Sequence, residues 1–101
     1  MKIKVHKISD NLINRYLESR NLIFNRTKMI NNQKISKFHH YNWWFKDDRL
    51  KFFMSPSNNK FIFFWQQIIK YENKQFLIGG WHSDSRKINI YYILYILKWQ
   101  L

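Results

Sequence analysis

The chain opens with alternating apolar and basic positions and then changes to a helical repeat. In residues 2–8 this alternation predicts a strand with one buried face. Ser9 or Asp10 is expected to cap a helix, because a side-chain oxygen there accepts a hydrogen bond from a free backbone N–H. The helix is predicted over residues 11–21, where the apolar positions fall on one face. These positions are Leu12, Ile13, Tyr16 and Leu17.

A second helical repeat follows a polar segment, residues 25–34, that we predict to be a loop. Ser36 is the expected cap of this helix, and residues 37–46 carry apolar side chains every three to four positions. Asp47 and Asp48 are expected to lie outside the helix, because its dipole disfavours carboxylates at the C-terminal end. The apolar positions of the repeat are Phe38, Tyr41, Trp44 and Phe45.

The second half of the chain consists of apolar segments rich in β-branched and aromatic residues. They are residues 50–54, 61–71, 75–82 and 88–99. The first is short, and the sequence Glu-Asn-Lys between the second and third predicts a tight turn. Gly79 and Gly80 suggest a bulge or a close approach of two backbones. The last segment, from Ile88 to Trp99, is almost continuously apolar, which is typical of a strand covered on both faces.

These elements predict an α+β fold in a single domain over residues 1–101. It has one N-terminal strand, two helices and an antiparallel sheet of three long strands, with residues 50–54 as a short extra strand.

The net charge of +12 favours an anionic partner, which could be nucleic acid, an anionic surface or an acidic ligand. The chain also contains 14 Ile, 13 Lys and 11 Asn but no Ala. That alphabet is typical of A/T-rich codons, so mutational bias can equally account for much of the lysine. Lys60 to Trp65, followed by Lys70 and Tyr71, would suit single-stranded nucleic acid, but no recognisable nucleic-acid motif supports this alternative.

Other absences narrow the class of protein. The lack of cysteine excludes disulfides, thiolate metal sites and thiol nucleophiles. No apolar run approaches the roughly 20 residues that a membrane span needs, and the first ten residues do not resemble a secretory signal. We therefore expect a cytoplasmic protein without a membrane partner. His39 and His40 point about 100° apart on a helix, so we predict no metal site.

Several side chains are candidates for binding or catalysis. Arg20 and Arg26 carry guanidinium groups that suit phosphate or carboxylate oxygens. His40 is a possible general base, although packing against the sheet is the simpler interpretation. Trp43, Trp44 and Phe45 are expected to be core anchors, with stacking on a base or sugar open to any that is exposed. The sequence does not identify a catalytic base.

A set of residues between positions 20 and 44, read without gaps, resembles the first half of an acyltransferase of the GNAT superfamily of N-acetyltransferases. The resemblance is greatest to the branch that acylates amino groups of nucleotide-activated sugars. In that branch a helix ends in Trp-Arg-Asn, where this chain has Ser19 in place of Trp, and a second helix carries a histidine and a Trp-Phe pair. Residues 74–80 resemble the family's strand that ends in Ile-Gly. The matching positions are Arg20, Asn21, Arg26, Met29, Ile35, Ser36, His40, Trp43 and Trp44.

The resemblance implies an ancestral reaction in which a sugar amine attacks an acyl thioester. It implies that the substrate-binding residues are Arg20, Asn21, Arg26, His40 and Trp43. The family holds the pyrophosphate of acetyl-CoA on a turn of pattern Arg/Gln-x-x-Gly-x-Gly/Ala that opens a helix. No such turn follows Trp99. We therefore expect no cofactor for the isolated chain, and acetyl-CoA only where a partner completes the site.

The expected function is that of a shortened acyltransferase relative, either completed by a partner chain or acting as a binding or assembly module. Enzymatic activity is left open. An anionic ligand such as a nucleotide-sugar fits the charge, whereas nucleic acid is possible but not favoured. Residues 88–99, as an unpaired edge strand, would promote homo-oligomerisation or docking of a partner chain.

Overall fold

The computed structural model describes residues 4–29, 32–57 and 60–101. Within these ranges, a four-stranded antiparallel sheet in the order β1-β2-β3-β4 carries helices on both faces. The predicted α+β class is therefore confirmed. The elements in chain order are β1 (His6–Lys7), a 3₁₀ turn (Asp10–Leu12), α1 (Ile13–Asn21), α2 (Ile23–Arg26), α3 (Lys37–Lys46), β2 (Leu50–Ser57), β3 (Lys60–Tyr71), β4 (Lys74–Ser83) and α4 (Ile90–Gln100).

The largest correction concerns residues 88–99, which were predicted to be a strand and instead form most of α4. Asn89 caps this helix, because its Oδ1 accepts a hydrogen bond from the Tyr91 N–H at 3.0 Å. A continuous apolar run is compatible with a buried strand or a helix, and periodicity alone does not separate the two. Backbone groups bonded within a helix cannot pair with another chain as a sheet edge, so the prediction of an edge strand here is wrong.

Smaller differences affect the ends of the other elements. Residues 50–54 belong to the full strand β2, which is paired to both of its neighbours. Asn25 and Arg26 lie in α2 rather than in a loop. Neither Ser9 nor Asp10 caps α1, which begins only after the 3₁₀ turn. The predicted strand residues Lys2 and Ile3, together with residues 30–31 and 58–59, lie outside the described ranges.

Three local predictions are confirmed. The Ser36 Oγ accepts a hydrogen bond from the His39 N–H at 3.3 Å and begins α3 at Lys37. Asp47 has an extended backbone just outside that helix. Glu72 and Asn73 have φ values of 49° and 65°, the left-handed pair that joins twisted strands in a two-residue hairpin turn.

Two core clusters lie on opposite faces of the sheet because consecutive strand residues alternate in direction. On one face Phe63 packs against Tyr16 of α1 and Trp44 of α3. On the other face Phe64 packs against Ile96 of α4 and Met54 of β2. Phe63 and Phe64 have no exposed surface. The helices are thus held on both sides of the central strand β3.

The hairpin of β3 and β4 continues past the end of the neighbouring strand. β2 begins at Leu50, which lies opposite Gln66, whereas the β3 and β4 register extends to the pair Tyr71 and Lys74. Beyond Gln66 the described sheet is therefore a two-stranded ribbon, and its large apolar side chains are exposed. They are Ile68, Ile69, Tyr71, Phe76, Leu77 and Ile78.

A polar clamp joins α1 to the segment after β4. The Asp84 Oδ2 accepts hydrogen bonds from Arg15 Nη2 at 2.9 Å and Nε at 3.1 Å, and from the Phe61 backbone N–H at 3.2 Å. The Asp84 N–H donates to the Phe61 carbonyl at 3.1 Å. The Arg15 guanidinium also lies over the Phe61 ring, 4.4 Å from its centroid. This clamp connects the start of β3 to the helical layer.

We expect Asp84→Ala to lower the free energy of unfolding by about 2 kcal/mol, because it removes charge-assisted hydrogen bonds at a partly buried site. Urea denaturation is the measurement. The control is Asp48→Ala, since Asp48 is exposed and bonds only Gln67 in the described structure; its loss should not exceed about 0.5 kcal/mol. Equal losses in the two variants would contradict the role assigned to the clamp.

Candidate functional site

A cleft of about 1130 Å³ lies beside β4, on the side of the sheet that carries α1 and α3. Its walls come from the end of α1, the following polar segment, α3, the middle of β4 and residues 85–88. In the described sheet β4 is an edge strand.

The charge lining the cleft is entirely positive among the residues that the structure describes. Five cationic side chains contribute to its walls, and no carboxylate does. The cations come from α1, the polar segment, the residue before β2 and the segment after β4, so they surround the opening rather than forming one row. They are Arg20, Lys28, Lys34, Arg49 and Arg86.

A stack of Arg49, Trp65 and Gly80 forms one wall of the cleft. The Arg49 guanidinium carbon lies 4.1 Å from the centroid of the Trp65 ring, which is within the range of a cation–π contact. A Cβ on Gly80 would lie only 2.8 Å from the Trp65 Nε1. Glycine is therefore required for the indole to lie against β4. The predicted close approach of two backbones occurs at Gly79, where a Cβ would lie 2.7 Å from the Trp65 carbonyl oxygen, and the strand register shows no bulge there.

Asp47 orients the cation of this stack. Its Oδ2 accepts a hydrogen bond from the Arg49 backbone N–H at 3.1 Å, and its Oδ1 lies 3.7 Å from the Arg49 Nε. Its Oδ2 also lies 3.4 Å from the Lys51 Nζ. Asp47 balances part of the positive charge behind the wall without lining the cleft itself.

The cleft floor contains a buried neutral histidine, His82. Its Nδ1 lies 2.8 Å from the Ser19 Oγ, and its ring meets the edge of Tyr16 at a centroid distance of 4.6 Å. Burial lowers the pKa of His82 to about 3, and the positive charge of Arg20 and the coupling to the His40 imidazole act in the same direction. The buried Nε2 makes no hydrogen bond within the described part of the chain. It can accept or donate one hydrogen bond to a ligand, according to its tautomer.

The hydrogen bond and the ring contact of His40 give this residue a structural role. Its Nε2 donates a hydrogen bond to the Ile13 carbonyl at 2.9 Å, and its ring stacks on Tyr16 at 5.8 Å. Burial lowers the pKa of His40; the hydrogen bond to Ile13 opposes that effect, and Lys51 adds to it. His40 thereby ties α3 to the start of α1 while one face of its ring reaches the cleft.

The structure brings together three of the five site residues suggested by the sequence. Arg20, His40 and Trp43 line the cleft. Asn21 does not: its amide donates to the Ile35 carbonyl and accepts from the Ile35 N–H, both at 2.8 Å. Arg26 lies outside the lining as well, with Nη1 3.5 Å from the Asn32 carbonyl. Asn21 and Arg26 shape the segment that borders the cleft instead of facing its interior.

The expected aromatic anchors of α3 divide into three different environments. Trp44 is buried, and its Nε1 donates to the Asp10 Oδ1 at 2.9 Å. Trp43 is half-buried and lines the cleft. Phe45 is 69% exposed, so its prediction as a core residue is wrong. The helix presents Phe45 to the side opposite the sheet.

The sequence did not identify Arg49, Trp65, Arg86 or His82 as members of one site. Their positions are far apart in the chain, and only folding brings them to one cleft. Gly80 gave the single local signal, since a glycine pair within a strand indicates a close approach. That signal did not identify Trp65 as the group approaching.

Two other interpretations can be tested against the described residues. No three His, Cys, Asp or Glu side chains among them are grouped so as to hold a metal ion. No helix in the described ranges is both long enough and apolar enough to cross a membrane. The segment from Lys60 to Trp65 includes the fully buried Phe63 and Phe64. These two rings cannot stack on nucleotide bases.

Comparison with known protein families, curated proteins and solved structures finds no match to this chain.

Burial of neutral His82 makes stability depend on pH. The unfolded chain protonates this imidazole near its ordinary pKa of 6.5, whereas the folded chain resists until about pH 3. The contribution of neutral His82 to the free energy of unfolding is therefore fully present above pH 6.5 and is lost as the pH falls toward 3. His82 alone should account for about 2 to 3 kcal/mol of loss between pH 7 and about pH 4.5.

Urea denaturation at the two pH values measures this loss. The His82→Asn variant keeps a polar group near Ser19 but does not titrate, so its loss should be smaller by the same amount. An equal loss in the variant and the parent chain would contradict the assignment.

Gly80→Ala should displace the Trp65 indole, because the added Cβ would collide with Nε1. We expect the indole N–H resonance of Trp65, assigned with Trp65→Phe, to shift in a ¹H–¹⁵N spectrum. The indole N–H of Trp44, bonded to Asp10 on the far side of α3, is the internal control and should stay in place. An unmoved Trp65 resonance would rule out the packing described here.

Proposed function

We propose that the cleft binds a small phosphorylated ligand that carries a ring, of the nucleotide-sugar class. The observation that carries this proposal is the set of five cations around an opening whose described lining has no carboxylate. Guanidinium and ammonium groups are the usual protein partners of phosphate oxygens. A positively charged ligand would need a carboxylate as its partner, and the described lining of the cleft contains none.

The aromatic side chains add a second requirement for the ligand. Trp43 and Trp65 are both partly exposed and line the cleft beside Arg49. Indole faces pack well against flat rings and against sugar faces. A ligand with phosphate at one end and a ring at the other would satisfy both kinds of wall. The cleft volume of about 1130 Å³ is ample for such a molecule.

The side chains favour binding over independent catalysis. The low pKa of His82 makes it a weak base, and the Nε2 of His40 is occupied by the Ile13 carbonyl. Ser19 is completely buried and hydrogen-bonded to His82, so its hydroxyl is not an accessible nucleophile.

The resemblance to N-acetyltransferases of the GNAT superfamily is consistent with this proposal. Three of the five substrate-binding positions that the resemblance implies, Arg20, His40 and Trp43, line the cleft. We propose that the cleft corresponds to the acceptor side of such an enzyme and recognises the activated sugar. Transfer of an acyl group would then require acetyl-CoA held by a partner chain, and without one the protein acts as a binding module.

Titration calorimetry with a uridine diphosphate sugar tests the binding proposal. Arg86→Gln should weaken binding about tenfold, which corresponds to about 1.4 kcal/mol. Lys87→Gln is the matched control, because Lys87 is the next residue and is exposed but does not line the cleft. Both variants lose one positive charge, so a difference between them reports on position rather than net charge.

Three outcomes would contradict the proposal. The first is no binding of the nucleotide-sugar, and the second is equal weakening by the two substitutions. The third is tighter binding of a mixed oligonucleotide with a steep salt dependence, which would favour nucleic acid. A parallel titration with acetyl-CoA separates the functions, because binding to the isolated chain would show that it needs no partner for the cofactor.

A further inference from the structure

We propose that a second copy of this chain covers the outer face of α4 and forms a two-fold dimer. This inference is independent of the ligand. α4 packs on the sheet through Ile96, which is 2% exposed, and turns a different set of side chains outward. Ile90, Leu94 and Leu97 follow one another by four and three positions, so they form a single stripe. Their exposed fractions are 68%, 56% and 52%.

A second exposed apolar area lies on the sheet beside the end of α4. The Gln100 Nε2 donates to the Trp65 carbonyl at 3.4 Å, which places the end of α4 beside the ribbon of β3 and β4. Ile68 and Leu77 are cross-strand partners on the ribbon. By strand alternation they share the face of Phe64, against which α4 packs. Both are more than two-fifths exposed.

The size of this apolar surface is appropriate for a dimer. With Tyr91 and Leu50, the two areas together contain seven large side chains whose exposed fractions range from 44% to 68%. At roughly 180 Å² for each residue when fully exposed, they present about 700 Å² in total. Stable interfaces bury about 800 Å² per partner, so a dimer that covered both areas would be close to the usual size.

The shape and charge of the stripe favour a second copy as the occupant. Spacings of four and three residues let two antiparallel helices interlock, and a two-fold axis places the same stripe on both sides. Within α4 Lys98 is the one charged residue. Two strongly basic chains can therefore meet here with little charge in the contact, and the repulsion between the rest of their surfaces is screened by salt. Their cationic clefts lie toward the other side of the sheet.

Sedimentation velocity of the whole chain over a concentration series tests the dimer. Leu94→Glu places a charge at the centre of the stripe, and glutamate preserves helix propensity. We expect it to raise the dimer dissociation constant at least tenfold. Phe45→Glu is the matched control, because it makes the same kind of change at an exposed site on α3 and should leave the constant unchanged. Far-UV circular dichroism confirms that both variants are folded.

A cross-link provides a second measurement. Because the chain has no cysteine, Leu94→Cys introduces a single thiol that should meet its copy across the axis and form a covalent dimer under mild oxidation. Phe45→Cys should do so at least tenfold more slowly. Added salt should strengthen the association, since it screens repulsion between like charges.

A strict monomer at all concentrations would overturn the inference. So would a dimer that survives Leu94→Glu, because the contact would then lie elsewhere, as at the open edge of β4. Equal cross-linking of the two cysteine variants would also refute the proposed axis. Loss of ligand binding to the cleft would not affect any of these results, so the dimer and the proposed function fail separately.

Discussion

The architecture depends on burial of both faces of β3 over one short stretch. Phe63 and Phe64 are adjacent and fully buried, yet they point to opposite sides of the sheet. Phe63 packs against α1 and α3, and Phe64 packs against α4. Burial of apolar surface stabilises the folded chain by roughly 25 cal/mol per Å². Because each ring is buried against a different helical layer, the two rings connect both layers to one strand. The layers therefore share a common support although they do not share a core.

The floor of the cleft is an extension of the core on the α1 side. Tyr16 contacts Phe63 at 5.3 Å and His82 at 4.6 Å between ring centroids, and it also stacks on His40. The two histidines are consequently neutral near pH 7, because burial and nearby cations disfavour a further positive charge. The charge available to a ligand is carried by arginine and lysine around the opening. A neutral floor beneath a cationic rim suits a ligand whose charge lies at one end.

The two proposed surfaces differ in chemistry and lie toward opposite sides of the sheet. The cleft combines cations with indole rings, whereas the outer face of α4 is almost free of charge. Anion binding weakens with added salt, and contact between two basic chains through an apolar face is strengthened by it. Separation by the sheet allows a dimer of this kind to keep both clefts open. The net charge of +12 can therefore serve ligand binding without preventing self-association.

The features that the sequence determined are those fixed by neighbouring residues. Ser36 and the repeat that follows it specified α3, because a cap and a helical stripe are local. The long strands β3 and β4 and the left-handed turn at Glu72 and Asn73 were likewise predictable. The α+β class followed from these elements. Of the candidate site, Arg20, His40 and Trp43 were available from the sequence, through the resemblance of their positions to a known pattern.

Tertiary structure decided the remainder. The apolar run of residues 88–99 is compatible with a strand or a helix, and contacts of Ile96 with both β2 and β3 accompany its helical form. Arg49, Trp65 and Gly80 become one wall only when β2, β3 and β4 pair in their observed register. Asn21 is satisfied by Ile35 rather than by a ligand, which no local pattern could indicate. Local propensity fixes turns, caps and periodicity, whereas the meeting of distant side chains depends on packing that exists only in the folded chain.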